Sequence, residues 1–223
     1  TGSQRSICME NTDARMNLYN AFLYAAAEGS RGVSLVFDGK VISGTRARKE
    51  RTKSFNAFSS VDYPELAIIR DGRLIRYLAE LAYRDGPESL HRLEERVQQL
   101  TLIPGMGADA LSALRDSYQA VILQSFGVGG VPGGGSGPFA RAMEDWLLAG
   151  KTIVMMTQVP YEGSDMAVYQ VGYQVKEKYQ LMEAYNMTLE AAATKLMWVL
   201  GQTRDSEEVR RLFYQPVQWD IIR

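Results

Sequence analysis

The chain has 223 residues, of which 46% are hydrophobic and 23% charged, as is typical of a folded protein of one or two domains. Its formal net charge is −1 at pH 7. This balance gives no electrostatic case for binding nucleic acid or an anionic membrane, because both partners favour a basic face. The longest apolar runs are far shorter than the ~20 residues that a membrane-spanning helix needs. We therefore expect no nucleic-acid partner and no membrane partner.

Cysteine and histidine are too scarce for several kinds of site. Cys8 is the single cysteine, so the sequence supports neither an internal disulfide nor a metal site of clustered thiolates. His91 is the single histidine and lies in a polar, charge-rich stretch, which gives little support to a Ser-His-Asp or Cys-His arrangement. We predict a site without metal and without cofactor.

The first helix is predicted directly after the polar opening segment. Thr12-Asp13 favours a helix start, with Asp13 as the N-cap or as an acid of the first turn. Leu18, Phe22 and Ala25 then fall on one side of the helix, in the pattern of an amphipathic apolar face. The sequence therefore predicts that this face packs against the core.

The most informative stretch runs from Val33 to Phe58. Its apolar residues alternate up to Asp38-Gly39, and this combination is the strongest short-range signal for a hairpin. A second Asp-Gly pair at 71–72 predicts a second hairpin. Five cations follow the first hairpin: Arg46, Arg48, Lys49, Arg51 and Lys53. Such a run is most simply a solvated loop, but it follows a strand end, where open α/β sheets carry their sites.

The second half of the chain alternates strand and helix patterns. Asp85-Gly86-Pro87 breaks a charged stretch, and we place a linker at 83–96 between domains at 1–82 and 97–223. The strands after the linker include two near-continuous apolar runs, typical of a parallel sheet that is buried on both faces. Predicted strands lie at 97–103, 120–126 and 151–157, and predicted helices begin near 109, 139, 187 and 205. Thr188 is the predicted cap of the third of these helices, and Asp205 opens the last one. This order indicates an α/β fold with a parallel sheet.

Seven glycines between 127 and 137 form a loop that follows a strand and precedes a helix. That context suits a phosphate-binding loop. The dinucleotide pattern, however, would need glycine or alanine at the position of Pro132, and no Gly-Lys-Ser/Thr follows. A tight backbone loop beside a small polar ligand is the better interpretation.

Lys49 is the strongest candidate catalytic residue. Nearby cations disfavour the protonated form of a lysine, and a neutral lysine can accept a proton from a hydroxyl. Thr1 offers a competing interpretation, because in N-terminal threonine hydrolases the free amine activates the hydroxyl. The residues around Thr1 are instead typical of an internal segment, since a turn such as TGSQ normally follows a strand.

Taken in order, the motifs resemble those of the bacterial-type L-asparaginases, and most of all the cytoplasmic type I enzymes. The matching segments are TGSQ at 1–4, TDAR at 12–15, GTRARK at 44–49, FNAF at 55–58, SFGVGGVP at 125–132, TQ at 157–158, EGSD at 162–165, Tyr169 with Gly172, and EAAATKL at 190–196. They extend from the first residue to about Arg211, and their order is more specific than any one of them. The resemblance implies an α/β asparaginase-like fold of two domains with parallel sheets.

The resemblance also implies an activity, which is hydrolysis of L-asparagine to L-aspartate and ammonia through a threonine acyl-enzyme. Lys49 matches the family's catalytic lysine, and Ser3-Gln4 matches a segment that lines the substrate. In the family a neighbouring subunit completes the site, so we expect a homodimer or homotetramer. The candidates for substrate contacts are Ser3, Gln4, Gly129, Gly130, Ser164 and Asp165.

The chain departs from the family pattern at several points. The TGGT motif of the nucleophile and the Thr-Asp pair that accompanies the lysine lie upstream of TGSQ in the family and are absent here. We therefore expect an incomplete amino-terminal domain, with the missing segment supplied as a separate polypeptide or residues 1–80 poorly folded alone. Gly130 stands where type I enzymes usually have asparagine, and Val159 replaces a cysteine that some of them carry.

Two other functions remain open at the level of sequence. One is the asparaginase-related amidotransferase subunit that frees ammonia for a tRNA-linked substrate, in which a similar Thr-Arg-Ala-Arg-Lys segment occurs. The other is a non-catalytic fragment that binds small amino acids. The resemblance places the chain in the cytoplasm and favours L-asparagine as its small-molecule substrate.

Overall fold

The computed structural model describes residues 1–79, 89–135, 137–167, 179 and 181–222. These residues form two compact units: the first comprises Thr1–Ser89 with Val217–Asp220, and the second comprises Leu90–Pro216 with Ile221–Arg223. The first unit contains α1 (Ala14–Ala26), β1 (Ser34–Phe37), β2 (Lys40–Ser43), β3 (Ala47–Lys49), β4 (Phe58–Ser60), β5 (Ala67–Arg70) and β6 (Arg73–Arg76).

Two hairpins build the main sheet of the first unit. Its strand order is β1-β2-β5-β6, and β3 pairs with β4 in a separate ribbon. Asp38 and Gly39 have φ values of +50° and +72°, and Asp71 and Gly72 have values of +51° and +70°. Positive φ at both central residues defines the type I′ turn, which Asp-Gly favours, so both predicted hairpins are confirmed. All the described pairs here are antiparallel, as a sheet built from hairpins requires.

The helix α1 buries a different face from the predicted one. Its buried residues are Asn17, Asn20 and Tyr24, whereas Leu18 is 43% exposed and Phe22 67% exposed. Asn17 explains the difference, because it donates to the Gly2 carbonyl and accepts the Asp38 N–H. The helix packs here against backbone groups that need polar partners, so apolar periodicity does not identify the inner face.

A short segment near the carboxyl end, Val217–Asp220, belongs to the first unit. The Gln218 side chain pairs with both backbone groups of Val33, and the Trp219 ring stacks on Tyr63 at 5.2 Å. Arg46 is fully buried and donates through Nε to the Trp219 carbonyl at 2.5 Å. Burial lowers the pKa of Arg46, and the nearby acidic groups oppose that effect. Arg46 is therefore a structural residue and no part of a solvated loop.

The second unit is a three-layer α/β structure. It contains β7 (Val97–Thr101), α2 (Ala108–Ser112), β8 (Ala120–Ser125), a 3₁₀ turn (Pro132–Gly135), α3 (Gly137–Leu148), β9 (Thr152–Thr157), β10 (Met182–Glu183), α4 (Leu189–Gln202) and α5 (Ser206–Tyr214). The strand order is β10-β9-β8-β7, and every pair is parallel. The predicted α/β fold with a parallel sheet is confirmed in this unit.

The strand β8 lies at the centre of two apolar cores. All six of its residues are buried. Ala120 and Ile122 pack with residues of α4 and α5, whereas Val121 and Leu123 pack with residues of α2 and α3. Successive side chains of a strand point to opposite faces, so a strand covered by helices on both faces must be apolar throughout. This is the physical reason for the run AVIL.

Helix starts in the second unit follow the predicted chemistry. Thr188 caps α4 by accepting the Ala191 N–H, and Asp205 caps α5 by accepting the Glu208 N–H. The two-residue strand β10 was not predicted, because a pair of residues carries no periodicity. The predicted breaker at 85–87 and the motif residues Tyr169 and Gly172 lie outside the described residues.

Candidate active site

The glycine loop lies at the carboxyl ends of the parallel strands. Phe126 and Gly130 exchange backbone hydrogen bonds of 2.9 and 2.8 Å, which closes the loop into a tight turn. Gly129 has φ of +151°, and a Cβ there would lie 2.6 Å from Cγ of Met166. Only glycine fits this backbone and this contact. The loop therefore depends on Gly129 for its shape, and at Gly130 it offers an exposed backbone without a side chain.

Ser164 and Asp165 lie beside this loop. The Asp165 N–H donates to the Val128 carbonyl at 3.2 Å, so the predicted residues Gly129 and Asp165 are neighbours. Ser164 is 5% exposed, and its hydroxyl has no hydrogen-bond partner among the described residues. Leaving a buried hydroxyl unpaired costs about 1–3 kcal/mol. The structure thus brings Gly129, Gly130, Ser164 and Asp165 into one cluster with a free hydrogen-bonding group.

Thr157 and Gln158 hold the strand ends of this cluster. Thr157 Oγ1 donates to the Gly127 carbonyl at 2.5 Å. Gln158 Nε2 donates to the carbonyls of Leu102 and Gln124, at 2.6 and 2.9 Å, and so joins the ends of β7 and β8. The sequence alone places Thr157 and Gln158 in a family motif without assigning them a role. Two polar residues directly after a buried strand were the signal that could have identified Thr157 and Gln158 as the support of the glycine loop.

Lys49 and Gln4 form the second group of candidate residues, in the first unit. Lys49 is exposed at the end of β3, and its Nζ donates to Gln4 Oε1 at 3.0 Å. The same Nζ lies 5.8 Å from the centroid of the Phe58 ring. Ser3, next to Gln4, is exposed. Two segments 45 residues apart are therefore in contact, as their shared assignment to one site predicts.

Asp13 fixes the position of the Gln4 segment. Its carboxylate accepts the backbone N–H of Gln4 and of Arg5 and the side-chain amide of Asn17. Burial raises the pKa of Asp13, but the backbone hydrogen bonds outweigh it and the pKa lies below its ordinary value. Asp13 does occupy the N-cap position of α1, yet its side chain makes no cap hydrogen bond. The predicted position of Asp13 at the helix start is confirmed, but its role in holding the backbone of Gln4 and Arg5 was not predicted.

The cations around Lys49 are used differently from one another. Arg46 is buried against Trp219, as described above. Arg51 donates to the Asn56 carbonyl at 3.0 Å, which helps to close the loop that follows β3. Burial therefore keeps the Arg46 guanidinium away from any ligand, whereas the Arg51 side chain remains exposed. Lys49 lies at the surface while its neighbours serve the fold.

Other kinds of site find no support in the part of the chain that the structure describes. No group of three or more His, Cys, Asp or Glu side chains there could hold a metal ion. None of the described helices combines the length and hydropathy required to traverse a bilayer. A cavity of about 530 Å³ in the second unit lies at the amino end of β9, near Lys151 and Asp205, and contains none of the predicted site residues.

Comparisons with known proteins agree with the order of the motifs. The model of the N-terminal asparaginase domain matches residues 1–82, and the model of the glutaminase/asparaginase C-terminal domain matches residues 96–213. The L-asparaginase of Thermococcus kodakarensis is 34% identical over 222 residues, covering 99% of this chain and 66% of the relative. The solved structure of the thermostable L-asparaginase from that organism superimposes with a TM-score of 0.92 at 31% identity, again covering 99% of this chain and 66% of the other.

A second group of relatives carries another name. A glutamyl-tRNA(Gln) amidotransferase subunit of Metallosphaera sedula is 31% identical over 222 residues, covering 95% of this chain and 49% of the relative. The chain thus spans about two thirds of the length of the L-asparaginases it matches and half of this amidotransferase subunit. Both domain models match in order, and together they cover most of the sequence. The chain belongs to the asparaginase family.

Proposed function

We propose that this chain is part of an L-asparaginase that converts L-asparagine to L-aspartate and ammonia. The observation that carries the proposal is the contact between Lys49 Nζ and Gln4 Oε1 at 3.0 Å. It joins the lysine that matches the family's catalytic residue to the segment that matches the substrate-lining one. This contact is a geometric relationship that motif order alone does not require.

The chemistry assigns one role to Lys49. A threonine hydroxyl, supplied from outside this sequence, attacks the side-chain amide carbon of asparagine. Lys49 accepts the proton of that hydroxyl and so raises its nucleophilicity. Ammonia leaves with a proton, and water then hydrolyses the ester to give aspartate and the free threonine. General-base assistance of this kind contributes about 10²- to 10⁴-fold to the rate.

The remaining candidates are proposed as substrate contacts. The backbone of Ser3-Gln4 would line the site in the same subunit. Gly129, Gly130, Ser164 and Asp165 would come from the second unit of a neighbouring subunit, in a homodimer or homotetramer. The unpaired hydroxyl of Ser164 supports this role, because a polar ligand would satisfy it. Sedimentation velocity of the complete protein would test the assembly, and a monomer that hydrolyses asparagine would contradict it.

We also propose that a separate or upstream amino-terminal segment completes the first unit. In the register of the first hairpin, Ser34 and Val36 turn their backbone groups away from β2, and no described strand pairs with β1 on that side. A groove of about 350 Å³ lies along this edge. The hydroxyls of Tyr24 and Ser34, which both line the groove, are buried without a partner among the described residues. An added strand would supply partners for both the edge and the hydroxyls.

Hydrogen exchange on the chain alone tests the need for that segment. We expect fast exchange of the backbone amides across 33–43, because Thr1 Oγ1 covers the Val36 carbonyl but no described strand covers the outer amides of β1, and because the adjacent helix exposes Leu18 and Phe22. Strong protection across 33–43 in an isolated monomer would show that the first unit needs no further segment. Intact mass and terminal sequencing of the native protein would identify the segment.

The experiment that tests the function is a comparison of Lys49→Met with Lys53→Met in the complete protein, measured by ammonia release from L-asparagine. Lys53 is an exposed lysine of the loop that follows β3 and serves as the matched control. We expect Lys49→Met to lose about 10²- to 10⁴-fold in kcat and Lys53→Met to keep full activity. Unchanged turnover in Lys49→Met would refute the assignment. We propose that the nucleophile lies outside these 223 residues, and the 223 residues alone should then release no ammonia.

The amidotransferase hypothesis has one observation in its favour, the 31% identity to the amidotransferase subunit of Metallosphaera sedula. Its test is ammonia transfer to glutamyl-tRNA(Gln) by the complete protein. We expect none, because a net charge of −1 gives this chain no electrostatic attraction to tRNA. The non-catalytic alternative would instead show aspartate binding by calorimetry with no turnover of asparagine.

The proposed organisation of the protein follows the resemblance. The amino-terminal domain would comprise residues 1–82 and the carboxy-terminal domain residues 97–223, with a linker at 83–96. The proposed location is the cytoplasm, as in the type I enzymes. No cofactor takes part in the proposed reaction, since the lysine and the hydroxyls suffice for acyl transfer.

A further inference from the structure

The side-chain amide of Gln4 is fully engaged inside the first unit. Its Nε2 donates to the carbonyls of Arg51 and Ser54, at 3.1 and 2.9 Å. Its Oε1 accepts from Lys49 Nζ at 3.0 Å. An amide has two N–H donors at one end and an acceptor oxygen at the other, and each end meets partners of the opposite kind. The orientation of the amide is therefore fixed by its surroundings.

The backbone of Gln4 is equally constrained. Its N–H donates to both carboxylate oxygens of Asp13, at 3.0 and 2.9 Å. Asn17, one turn along α1, donates from Nδ2 to Asp13 and to the Gly2 carbonyl. Hydrogen bonds to an ionised carboxylate are about twice as strong as neutral ones. A continuous chain of contacts thus runs from α1 through Asp13 and Gln4 to Lys49.

Lys49 has few other constraints. Among the described residues Lys49 Nζ donates to Gln4 Oε1, and the same Nζ lies 5.8 Å from the centroid of the Phe58 ring. A neutral lysine amine keeps two N–H donors and one lone pair. One N–H held by Gln4 leaves the lone pair free to face a hydroxyl. The contact therefore suits both protonation states of the lysine.

We propose that Gln4 is a positioning residue for Lys49, and that its side chain makes no contact with the substrate. This proposal rests on the proposed catalytic role of Lys49. It assigns the Gln4 side chain to holding Lys49 in place and not to binding the substrate. The Gln4 amide holds the loop at 51–54 through the hydrogen bonds of Nε2, and it orients the Lys49 amine through the hydrogen bond of Oε1. Substrate contacts of this segment are then left to its backbone and to Ser3.

Competitive acetylation of the complete protein tests the contact without any hydrolysis. The probe is N-acetoxysuccinimide at limiting dose, with the modification of each lysine quantified by peptide mass spectrometry. We compare Gln4→Met, which keeps the length and loses the hydrogen bonds, with Gln4→Glu, which offers a charged acceptor. The matched control is Gln98→Met in the second unit, and Lys40, paired with Glu65 at 2.8 Å, is the internal reference.

In Gln4→Met we expect Lys49 to be acetylated about 2- to 10-fold faster relative to Lys40, as the loss of one hydrogen bond implies. Gln4→Glu should react more slowly than the wild type, because its carboxylate holds the ammonium more firmly. Equal Lys49 rates in Gln4→Met and Gln98→Met would overturn the proposal. So would an equal increase at Lys49 and Lys40, which would indicate general loosening of the unit.

A kinetic measurement on the complete protein separates positioning from substrate binding. We expect Gln4→Met to lower kcat for L-asparagine by about 10-fold or more with little change in KM, and Gln4→Glu to restore part of kcat. A raised KM with unchanged kcat would mean that the side chain binds substrate, and would refute the proposal. If the complete protein hydrolyses no asparagine, the proposed function fails, and the acetylation result still decides whether Gln4 holds Lys49.

Discussion

Both carboxylate oxygens of Asp13 accept the backbone N–H of Gln4, at 3.0 and 2.9 Å. A residue at the start of a helix thereby holds the segment that carries a proposed site residue. The carboxylate also accepts the Arg5 N–H, so it orders two consecutive backbone amides. The position of the Gln4 segment therefore depends on the ionised carboxylate of Asp13.

Replacing Asp13 by asparagine should release this segment. Burial raises the pKa of Asp13, and the backbone hydrogen bonds lower it further than burial raises it. The folded chain therefore binds fewer protons here, and the contribution is complete above the ordinary pKa and lost as the pH falls through the folded value. In NMR titrations the Gln4 and Arg5 amides should shift with a midpoint below 3.8 in the wild type. They should not titrate in Asp13→Asn.

A suitable control for that experiment is Asp116→Asn, since the Asp116 side chain is 89% exposed. The Gln4 titration should persist in this variant. A midpoint at or above 3.8 in the wild type would contradict the lowered pKa.

Glu94 gives the second unit its own acid sensitivity. It bonds to the guanidinium groups of Arg96 and Arg204. The Arg96 hydrogen bond is the largest cause of a Glu94 pKa lowered from 4.5 to about 2, and burial opposes it. The stabilisation is therefore full above pH 4.5 and disappears between pH 4.5 and about 2.

Urea unfolding at several pH values would measure this contribution. We expect Glu94→Gln to lose about 1–2 kcal/mol at pH 7 and to differ little from the wild type near pH 2. Glu95→Gln, the exposed neighbour, should match the wild type throughout. A constant difference between Glu94→Gln and the wild type across the whole range would rule out the ionised pair as its cause.

Gly129→Ala should destabilise the glycine loop. The new Cβ would lie 2.6 Å from Cγ of Met166, on a backbone with φ of +151°. Gly150→Ala is a matched control, because Gly150 also has positive φ, at +70°, but open space around a Cβ. We expect about 1 kcal/mol for the control and about 1–3 kcal/mol more for Gly129→Ala, from thermal unfolding. Equal losses of stability in the two variants would mean that the Met166 side chain moves aside without an energetic cost.

Thr188→Ala should remove the cap of α4. Thr188 is 3% exposed and accepts the Ala191 N–H at 3.1 Å. Loss of such a cap costs about 0.5–2 kcal/mol, and Thr188→Ser should retain most of the stability. Thr194→Ala on the same helix removes only a hydroxyl that bonds to the helix's own Glu190 carbonyl, so it should be nearly neutral. A neutral Thr188→Ala in urea unfolding would show that the cap is dispensable.

Local chemistry explains which parts of the fold could be predicted. The turn type at Asp38-Gly39 is determined by these two adjacent residues. The cap at Thr188 involves only that residue and the first turn of the helix that follows it. The apolar run of β8 reflects burial on both faces, which is a property of the strand itself. Each of these features depends on residues that are near neighbours in sequence, and each was confirmed.

The features that escaped prediction depend on distant partners. Arg46 belongs to a cationic run, but its burial depends on the Trp219 carbonyl, 173 residues away. The predicted inner face of α1 was wrong because Asn17 bonds to Gly2 and Asp38, whose positions follow from the tertiary fold. At the candidate site, the resemblance identified Lys49 and Gln4, whereas the hydrogen bond between them joins residues 45 positions apart and follows from the tertiary fold.

The segment Val217–Asp220 bears on how the protein can be divided. Gln218 occupies both backbone groups of Val33, and the Trp219 carbonyl is the acceptor for the buried Arg46. A gene fragment that stops at residue 89 would encode the described strands of the first unit but would remove the Trp219 carbonyl, which accepts a hydrogen bond from the buried Arg46. Exchange of this unit between relatives, or its expression alone, would need the last residues of the chain grafted back.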